Sequence, residues 1–371
     1  MLTVIIPILI VLEALIVLVH LTISASLAAA FGIANQWLEA VFIALAFTFV
    51  AASVLSHFRR GPLVDWYYRF SAYWFGLALF LFCASVVFYA IVAFLYDRNF
   101  YIAPAIAGGI VFGVFFLVHL YGTWESQRLR ITNVRIPLSN RPGFDQGFWK
   151  DKKIVFVSDF QLGNIYRAGF LKRAIEKIAV IAPYAVFIGG DLYDGVACDE
   201  AGLIAPLHNL RAPGGVYFIT GNHEYYMKDP ERALVAVRAA GIAILADEKH
   251  DLGGGVDVIG IDYRSGQTAE GVRNALARAG VDRMRTNVLL KHEPNHLDVA
   301  EGAGVSLTLS GHTHRGQMVP LNLFTRQIYK GFHYGLKRLR KMWVFTSSGA
   351  GTWGPPLRLG TRSEIVVLEF V

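Results

Sequence analysis

The sequence is poor in charged residues and almost lacks cysteine. Only 17% of its 371 residues are charged and two are cysteine, whereas 54% are hydrophobic. Charged residues make up roughly 25% of an ordinary soluble protein, so the low charge excludes that class for the whole chain. The aromatic content of 13% excludes a disordered chain. Two cysteines exclude a disulfide framework and a cysteine-rich zinc module.

Charge is scarcest in residues 1–122, which contain four basic and four acidic residues, so the net charge of +7 belongs to the rest of the chain. This region has four apolar runs, at about 3–33, 37–57, 71–96 and 102–122. Each approaches or exceeds the roughly 20 residues that a bilayer-spanning helix needs. Glu13 interrupts the first run, which has no basic segment before it, so a cleaved signal peptide is disfavoured. We therefore predict an all-α transmembrane domain of four helices.

The arginines next to these runs predict an orientation. Seven lie on one predicted side of the membrane: Arg59, Arg60, Arg69, Arg128, Arg130, Arg135 and Arg141. Arg98 lies on the other side. The positive-inside rule then places both termini and the polar part of the chain in the cytoplasm. Glu13, His20 and His119 fall at or near membrane depth, where ionisable groups are either functional or paired within the bundle.

We predict that residues 123–150 form a connector with a first strand. We predict that residues 151–371 form a layered α/β domain. Short apolar runs predict nine strands, at 153–158, 184–188, 216–219, 242–245, 256–261, 287–290, 306–309, 343–346 and 365–370. Helical spacing predicts helices at 167–182 and 229–240. Helices alternate with strands early and strands dominate late, which indicates the α/β class.

Polar residues of metal-ligand type follow five of these strands. They are Asp159 and Gln161, then Asp191 and Asp194, then Asn222, His223 and Glu224, then His292, and last His312 and His314. Each group alone is typical of a turn. Strand ends are where open α/β sheets place their sites, so five groups in order favour one shared site. Carboxylates, an amide and imidazoles suit Mn, Fe or Zn better than Ca.

The motif order D-x-Q, G-D-x-x-D, G-N-H-E, H-x-P and G-H-T-H resembles the calcineurin-like metallophosphoesterase superfamily, over about residues 128–371. The likeness is greatest to its bacterial YkuE/YaeI-like branch, to which the tail sequence Leu-Arg-Leu-Gly at 357–360 is also similar. It implies a two-sheet β sandwich flanked by helices and two divalent metal ions, with manganese favoured and iron or zinc as alternatives. It implies these ligands: Asp159, Gln161, Asp191 and His314 for the first ion, and Asn222, His292 and His312 for the second, with Asp191 bridging.

The resemblance also implies a reaction, in which metal-activated water attacks a phosphate or pyrophosphate ester. His223 would donate a proton to the leaving oxygen or stabilise the transition state, and either Glu224 or Asp194 would orient its ring. Two positions depart from the pattern. Gln161 stands where His is common, and its amide oxygen is still a ligand. Arg315 stands where this branch often has Gly, and it is either a bidentate phosphate contact or a solvated side chain.

The segment Met318–Trp343 is basic and aromatic, which favours contact with a membrane surface. We therefore expect a multi-pass protein of the bacterial inner membrane. Its substrate would be a lipid-linked ester, such as a nucleotide-activated lipid. The alternatives are an anchored phosphodiesterase for soluble nucleotides and a non-catalytic membrane sensor or scaffold. No nucleic-acid partner is expected, and the surplus of spans also allows a homodimer.

Overall fold

The computed structural model describes residues 2–371, and the chain divides into two compact units. One unit, which we call the helical unit, runs to Trp124 and includes residues 354–357. The other, which we call the sheet unit, contains residues 125–353 and 358–371.

The helical unit is built from five helices: α1 (Leu2–Phe31), α2 (Asn35–Ala46), α3 (Thr48–Phe58), α4 (Pro62–Asp97) and α5 (Pro104–Ser126). Within the described residues, four stretches are long and apolar enough to cross a bilayer, namely Ile10–Phe31, Gln36–Phe58, Pro62–Asp97 and Pro104–Ser126. They agree with the four predicted spans. The second stretch is interrupted at Phe47, and Pro62 begins the third in the first helical turn, where proline is tolerated.

Inside the helical unit, small and aromatic residues pack together, and short polar side chains bond locally. Ser26 Oγ lies 2.7 Å from Ser85 Oγ, which joins α1 to α4. His20 contacts the carbonyl of Ile16 through Nδ1 at 2.8 Å and accepts from Trp74 Nε1 through Nε2 at 3.0 Å. Both nitrogens of His20 therefore have partners within the bundle.

The sheet unit contains two six-stranded mixed sheets. The first has the order β1 (Leu129–Ile136), β12 (Ser363–Phe370), β2 (Lys153–Val157), β3 (Ala185–Ile188), β4 (Val216–Phe218) and β5 (Ala243–Ile244). The second has the order β10 (Gly335–Leu339), β11 (Met342–Thr346), β9 (Val305–Ser310), β8 (Thr286–Leu290), β7 (Val256–Gly260) and β6 (Glu248–Asp251). In both sheets the strands that precede the polar motifs run parallel to their neighbours along the chain.

Eight helices belong to this unit or its loops: α6 (Gln146–Trp149), α7 (Ala168–Ile181), α8 (Glu200–Ile204), α9 (Asn222–Tyr226), α10 (Pro230–Ala239), α11 (Ala269–Ala279), α12 (Leu297–Ala303) and α13 (Leu321–Ile328). Successive side chains of each strand point to opposite faces of the sheet, so each sheet contributes to two hydrophobic layers. Phe156 of β2 packs in the same core as Leu290 of β8, between the sheets, whereas Val155 and Val157 pack beneath α7 and α10. Leu289 of β8 faces α11 and α12. This is the predicted two-sheet sandwich flanked by helices.

Candidate metal centre

The predicted ligands meet at one edge of the sandwich. Asp159, Asp191 and Asn222 follow the parallel strands β2, β3 and β4, so the first sheet presents them side by side. His292 follows β8, and His312 follows β9, in the second sheet. Parallel neighbours end at the same edge, and the facing sheets bring both sets together. Closely spaced side chains link all seven predicted metal ligands into one cluster.

Distances within the cluster suit ligands of shared cations. His292 Nε2 lies 3.2 Å from Asp191 Oδ2 and 4.0 Å from Asp159 Oδ1. His314 Nε2 lies 3.6 Å from the same Asp159 oxygen. Ligand atoms of Asp191, His292 and His312 all lie within 4.8 Å of one another. Asp191 therefore lies at the centre, as a bridging carboxylate would.

Two buried polar atoms test whether these residues fit a metal. His292 Nε2 is buried and makes no well-aligned hydrogen bond, with the Asp191 carboxylate 3.2 Å away, while Nδ1 lies 2.7 Å from the carbonyl of Gly189. A backbone carbonyl on one ring nitrogen is the usual support of a metal-binding histidine. Gln161 likewise has one bonded and one available polar atom. Its Nε2 donates to Asp191 at 3.0 Å, and its Oε1 is buried without a hydrogen-bond partner. The amide oxygen of Gln161 offers a lone pair, and His292 Nε2 offers one when its proton leaves, so the donor set fits divalent cations.

The backbone of the site is held in unusual conformations. Five predicted ligands have positive φ: Asp159 (55°), Gln161 (52°), Asp191 (53°), His312 (67°) and His314 (45°). A non-glycine residue in the left-handed region costs of order 1–3 kcal/mol, and such residues concentrate at functional sites. A methyl group at Gly221 would meet the Asp191 carboxylate, so the turn before Asn222 requires glycine.

Glu224 supports the backbone, and Asp194 faces His223. The fully buried Glu224 carboxylate accepts the N–H groups of Gly221, Asp191, Leu192 and Tyr193 at 2.7–3.2 Å. Asp194 Oδ1 instead lies 3.8 Å from His223 Nδ1. The geometry thus selects Asp194 over Glu224 as the carboxylate beside the imidazole.

His223 itself lies at the rim of the cluster. Its backbone N–H donates to Asp191 Oδ1 at 2.9 Å, and its Nε2 lies 3.9 Å from Asp191 Oδ2. Burial disfavours the imidazolium ion, but the carboxylates of Asp191 and Asp194 outweigh burial and raise the pKa of His223 above its ordinary value. The two carboxylates therefore make the ring easier to protonate than a free imidazole.

Burial and charge set the protonation of the ligands as well. Burial favours the neutral form of Asp191, but His292 and His223 outweigh it and hold the pKa of Asp191 below its ordinary value. Burial lowers the pKa of His314 well below its ordinary value, and the nearby Arg358 guanidinium lowers it further. Asp191 is therefore ionised and His314 neutral, which are the forms that bind cations.

Arg358 is a supporting residue that the sequence did not single out. It is fully buried and donates to the carbonyls of His314 at 3.1 Å, Ser348 at 2.6 Å and Gly351 at 2.5 Å. It thereby ties the G-H-T-H turn to the loop after β11. The only signal was its place in the Leu-Arg-Leu-Gly tail that contributed to the resemblance. Arg315 lies over the ring of Tyr334, 4.3 Å from its centroid, and its phosphate contact stays a prediction.

Comparisons with known proteins agree with this geometry. Residues 152–316 match the family model of calcineurin-like phosphoesterases. The chain is 35% identical over 223 residues to an uncharacterized metallophosphoesterase of Campylobacter jejuni, covering 59% of each chain. It is 30% identical over 255 residues to a transmembrane protein with metallophosphoesterase domain of Bos taurus, covering 64% of this chain and 56% of that one.

The chain spans about 60% of the length of the first curated relatives that it matches. Among solved structures, a 5'-nucleotidase precursor from Thermus thermophilus matches with a TM-score of 0.31 at 19% identity, covering 44% of this chain and 42% of that one.

Proposed function

We propose that this chain, which carries a calcineurin-like metallophosphoesterase domain after four long apolar helices, hydrolyses a phosphate or pyrophosphate ester of a lipid-linked substrate. The observation that carries the proposal is the convergence of Asp159, Asp191, His292 and His312, with the buried Nε2 of His292 facing both carboxylates. The apolar helices support an ester that resides in a membrane.

Two divalent ions held at this site would polarise the phosphoryl group and activate water. The chain's own residues would do the rest. His223 lies at the rim, where its protonated ring would donate a proton to the leaving oxygen. Asp194 faces the other nitrogen and would hold the ring in place. Glu224 would keep the Asp191 loop rigid through four backbone N–H groups, so that the cluster does not rearrange during turnover.

The long apolar helices and the arginines support a proposed location for the substrate. The arginine distribution supports a catalytic domain at the cytoplasmic face of the bacterial inner membrane. The relative from Bos taurus is itself named a transmembrane protein. A lipid-linked phosphate or a nucleotide-activated lipid would then reach the site from the bilayer in which the chain is held.

A second candidate substrate, a soluble nucleotide, is favoured by tyrosines around the cluster. Tyr226 lies 5.2 Å from the ring of His223, and Tyr263 lies 6.1 Å from that of His292. Tyr329 lies 6.3 Å from the ring of His312. Aromatic side chains beside the reacting centre suit a flat base as well as a lipid headgroup.

The test compares lipids before and after incubation of the full-length protein with a bacterial lipid extract and Mn²⁺, by mass spectrometry. The controls are His223→Asn, and His250→Asn at an exposed histidine on β6. We expect one phosphorylated lipid to disappear with the native protein and with His250→Asn, but not with His223→Asn. Turnover of a cyclic or dinucleotide with no lipid consumed would favour the second candidate. Bound metal without turnover of either class would overturn both.

A further inference from the structure

Helix α13 lies on the surface with its apolar side chains outward. None of its eight residues is buried, and Phe324 and Ile328 are 61% and 67% exposed. Helix α7 of the same unit shows the usual alternative, because it buries Phe170, Leu171 and Ile175 in the core. The core therefore does not account for the apolar residues of α13.

Three of the four exposed apolar residues of α13 share one face, whereas the fourth, Leu323, is 59% exposed on the opposite side. Leu321, Phe324 and Ile328 recur at i, i+3 and i+7, which places them on the same side of a helix. Val319, just before the helix, adds a further exposed apolar side chain. Asn322 and Arg326 lie on a different side of the helix. Such an amphipathic helix, with an outward apolar face, is the type that lies in the interface of a bilayer.

The charge that follows the helix has one sign. Residues 326–341 contain six basic residues and no acidic ones: Arg326, Lys330, Lys337, Arg338, Arg340 and Lys341. Arg340 pairs with Glu301 at 3.3 Å, whereas Arg326, Lys330 and Lys337 are exposed. Lysine and arginine beside an apolar helix are attracted to anionic lipid headgroups.

We propose that α13 inserts the face formed by Leu321, Phe324 and Ile328 into the headgroup region of an anionic phospholipid bilayer. The chain carries four apolar stretches of spanning length, which would keep the sheet unit tethered to a bilayer. The inference concerns bilayer contact alone and does not depend on which ester is hydrolysed.

The contact would lie close to the metal centre. Only Gly316 to Pro320 separate Arg315 from the start of α13. At the other end of the helix, Tyr329 donates to Glu293 Oε1 at 3.4 Å, and its ring lies beside His312. Insertion of α13 would therefore hold the metal centre, on the side of His312, near lipid headgroups.

The test places a fluorescent probe on the helix of the full-length protein. Neither Cys83 nor Cys198 is in a disulfide, and both are first replaced by serine. A single cysteine is then introduced by Phe324→Cys, and in a second variant by Ile328→Cys, and is labelled with an environment-sensitive dye. Val180→Cys on α7 is the matched control, because Val180 is 87% exposed. Each protein is reconstituted in phosphatidylcholine–phosphatidylglycerol vesicles with and without a doxyl-labelled lipid.

We expect the doxyl lipid to quench the probe at 324 and at 328 at least about twofold more than the probe at 180, because a depth of ~5–10 Å is typical of interfacial helices. Arg326→Gln with Lys330→Gln should reduce this difference. Equal quenching at 324, 328 and 180 would overturn the proposal. A second result would also overturn the proposal: probe emission that shifts to the blue as the protein concentration rises, without quenching by the doxyl lipid. That result would show that a second copy of the protein covers the helix.

Discussion

The two units of the chain differ in the polar groups that they bury. Among the described side chains, the fully buried polar ones of the helical unit are serines and two histidines, His20 and His119. Glu13 is only partly buried as a residue, although both of its carboxylate oxygens are shielded from solvent. The sheet unit buries entire carboxyl side chains, among them Asp159, Asp191 and Glu224. Burial of a carboxylate costs free energy unless the group is paired or binds a cation, so buried carboxylates indicate a binding or catalytic role. The contrast places the chemistry in the sheet unit and helix association in the other.

The strongest test of this contrast is Asp191→Asn. It removes the charge that Gln161, His223 and His292 surround. We expect turnover of a chromogenic phosphodiester to fall by about a thousandfold or more, because bound cations supply several kcal/mol of transition-state stabilisation. Elemental analysis should show lost metal. Asp298→Asn, on the surface of α12, is the control, and retained metal with Asp191→Asn would contradict a bridging role.

Glu224→Gln should have a smaller effect, through the backbone. An amide group would turn one donor toward the N–H groups that Glu224 now accepts. Supporting residues of metal sites typically change affinity or activity by about 10–100-fold, and we expect a loss in that range. Titration with Mn²⁺ measures it, with Glu231→Gln on the exposed side of α10 as the control. An unchanged metal affinity would show that the Asp191 loop does not need this carboxylate.

Metal affinity should also rise with pH. Burial raises the pKa of Asp159 to about 6. Burial lowers that of His292, but the carboxylates of Asp191 and Asp159 outweigh it and raise its pKa to about 10. These protons must leave when a cation binds, so binding releases protons and strengthens as pH rises, by up to about tenfold per pH unit for each proton released. Calorimetry in buffers of different ionisation enthalpy should detect the release, and a flat affinity without it would refute the assignment.

In the helical unit, the loss of a buried hydrogen bond should have little effect on stability or turnover. Ser26→Ala removes one hydrogen bond to Ser85. A double-mutant cycle with Ser85→Ala should give a coupling of about 0.6 kcal/mol, the average for bonds between membrane helices. Unfolding in detergent measures the coupling, and turnover should stay unchanged. A fall in turnover as large as that of Glu224→Gln would break the separation between the units.

Much of the fold could be predicted because its signals are local. The apolar runs predicted four spanning-length helices, and the short apolar strands predicted a layered α/β domain. The two-sheet sandwich was implied by the family resemblance of the polar motifs. Strand β6, Glu248–Asp251, was missed because all four of its residues are exposed and polar, so no apolar pattern marks it. It is recognised only by its antiparallel pairing with β7. Helix α13 and strand β10 were likewise missed. None of the α13 residues is buried, and β10 only partly buries Leu336 and Leu339, on either side of two basic residues.

The sequence by itself determined which residue types stand at the strand ends, because side-chain chemistry and strand order are properties of the chain. Only the tertiary structure decided what each one contacts. Glu224 is adjacent to His223 in sequence, yet it turns to backbone N–H groups about 30 residues away, and Asp194 faces the ring. Arg358 reaches the carbonyl of His314 across 44 positions. Such contacts depend on hydrogen-bonding groups that approach only when distant strands pack, so no local pattern encodes them.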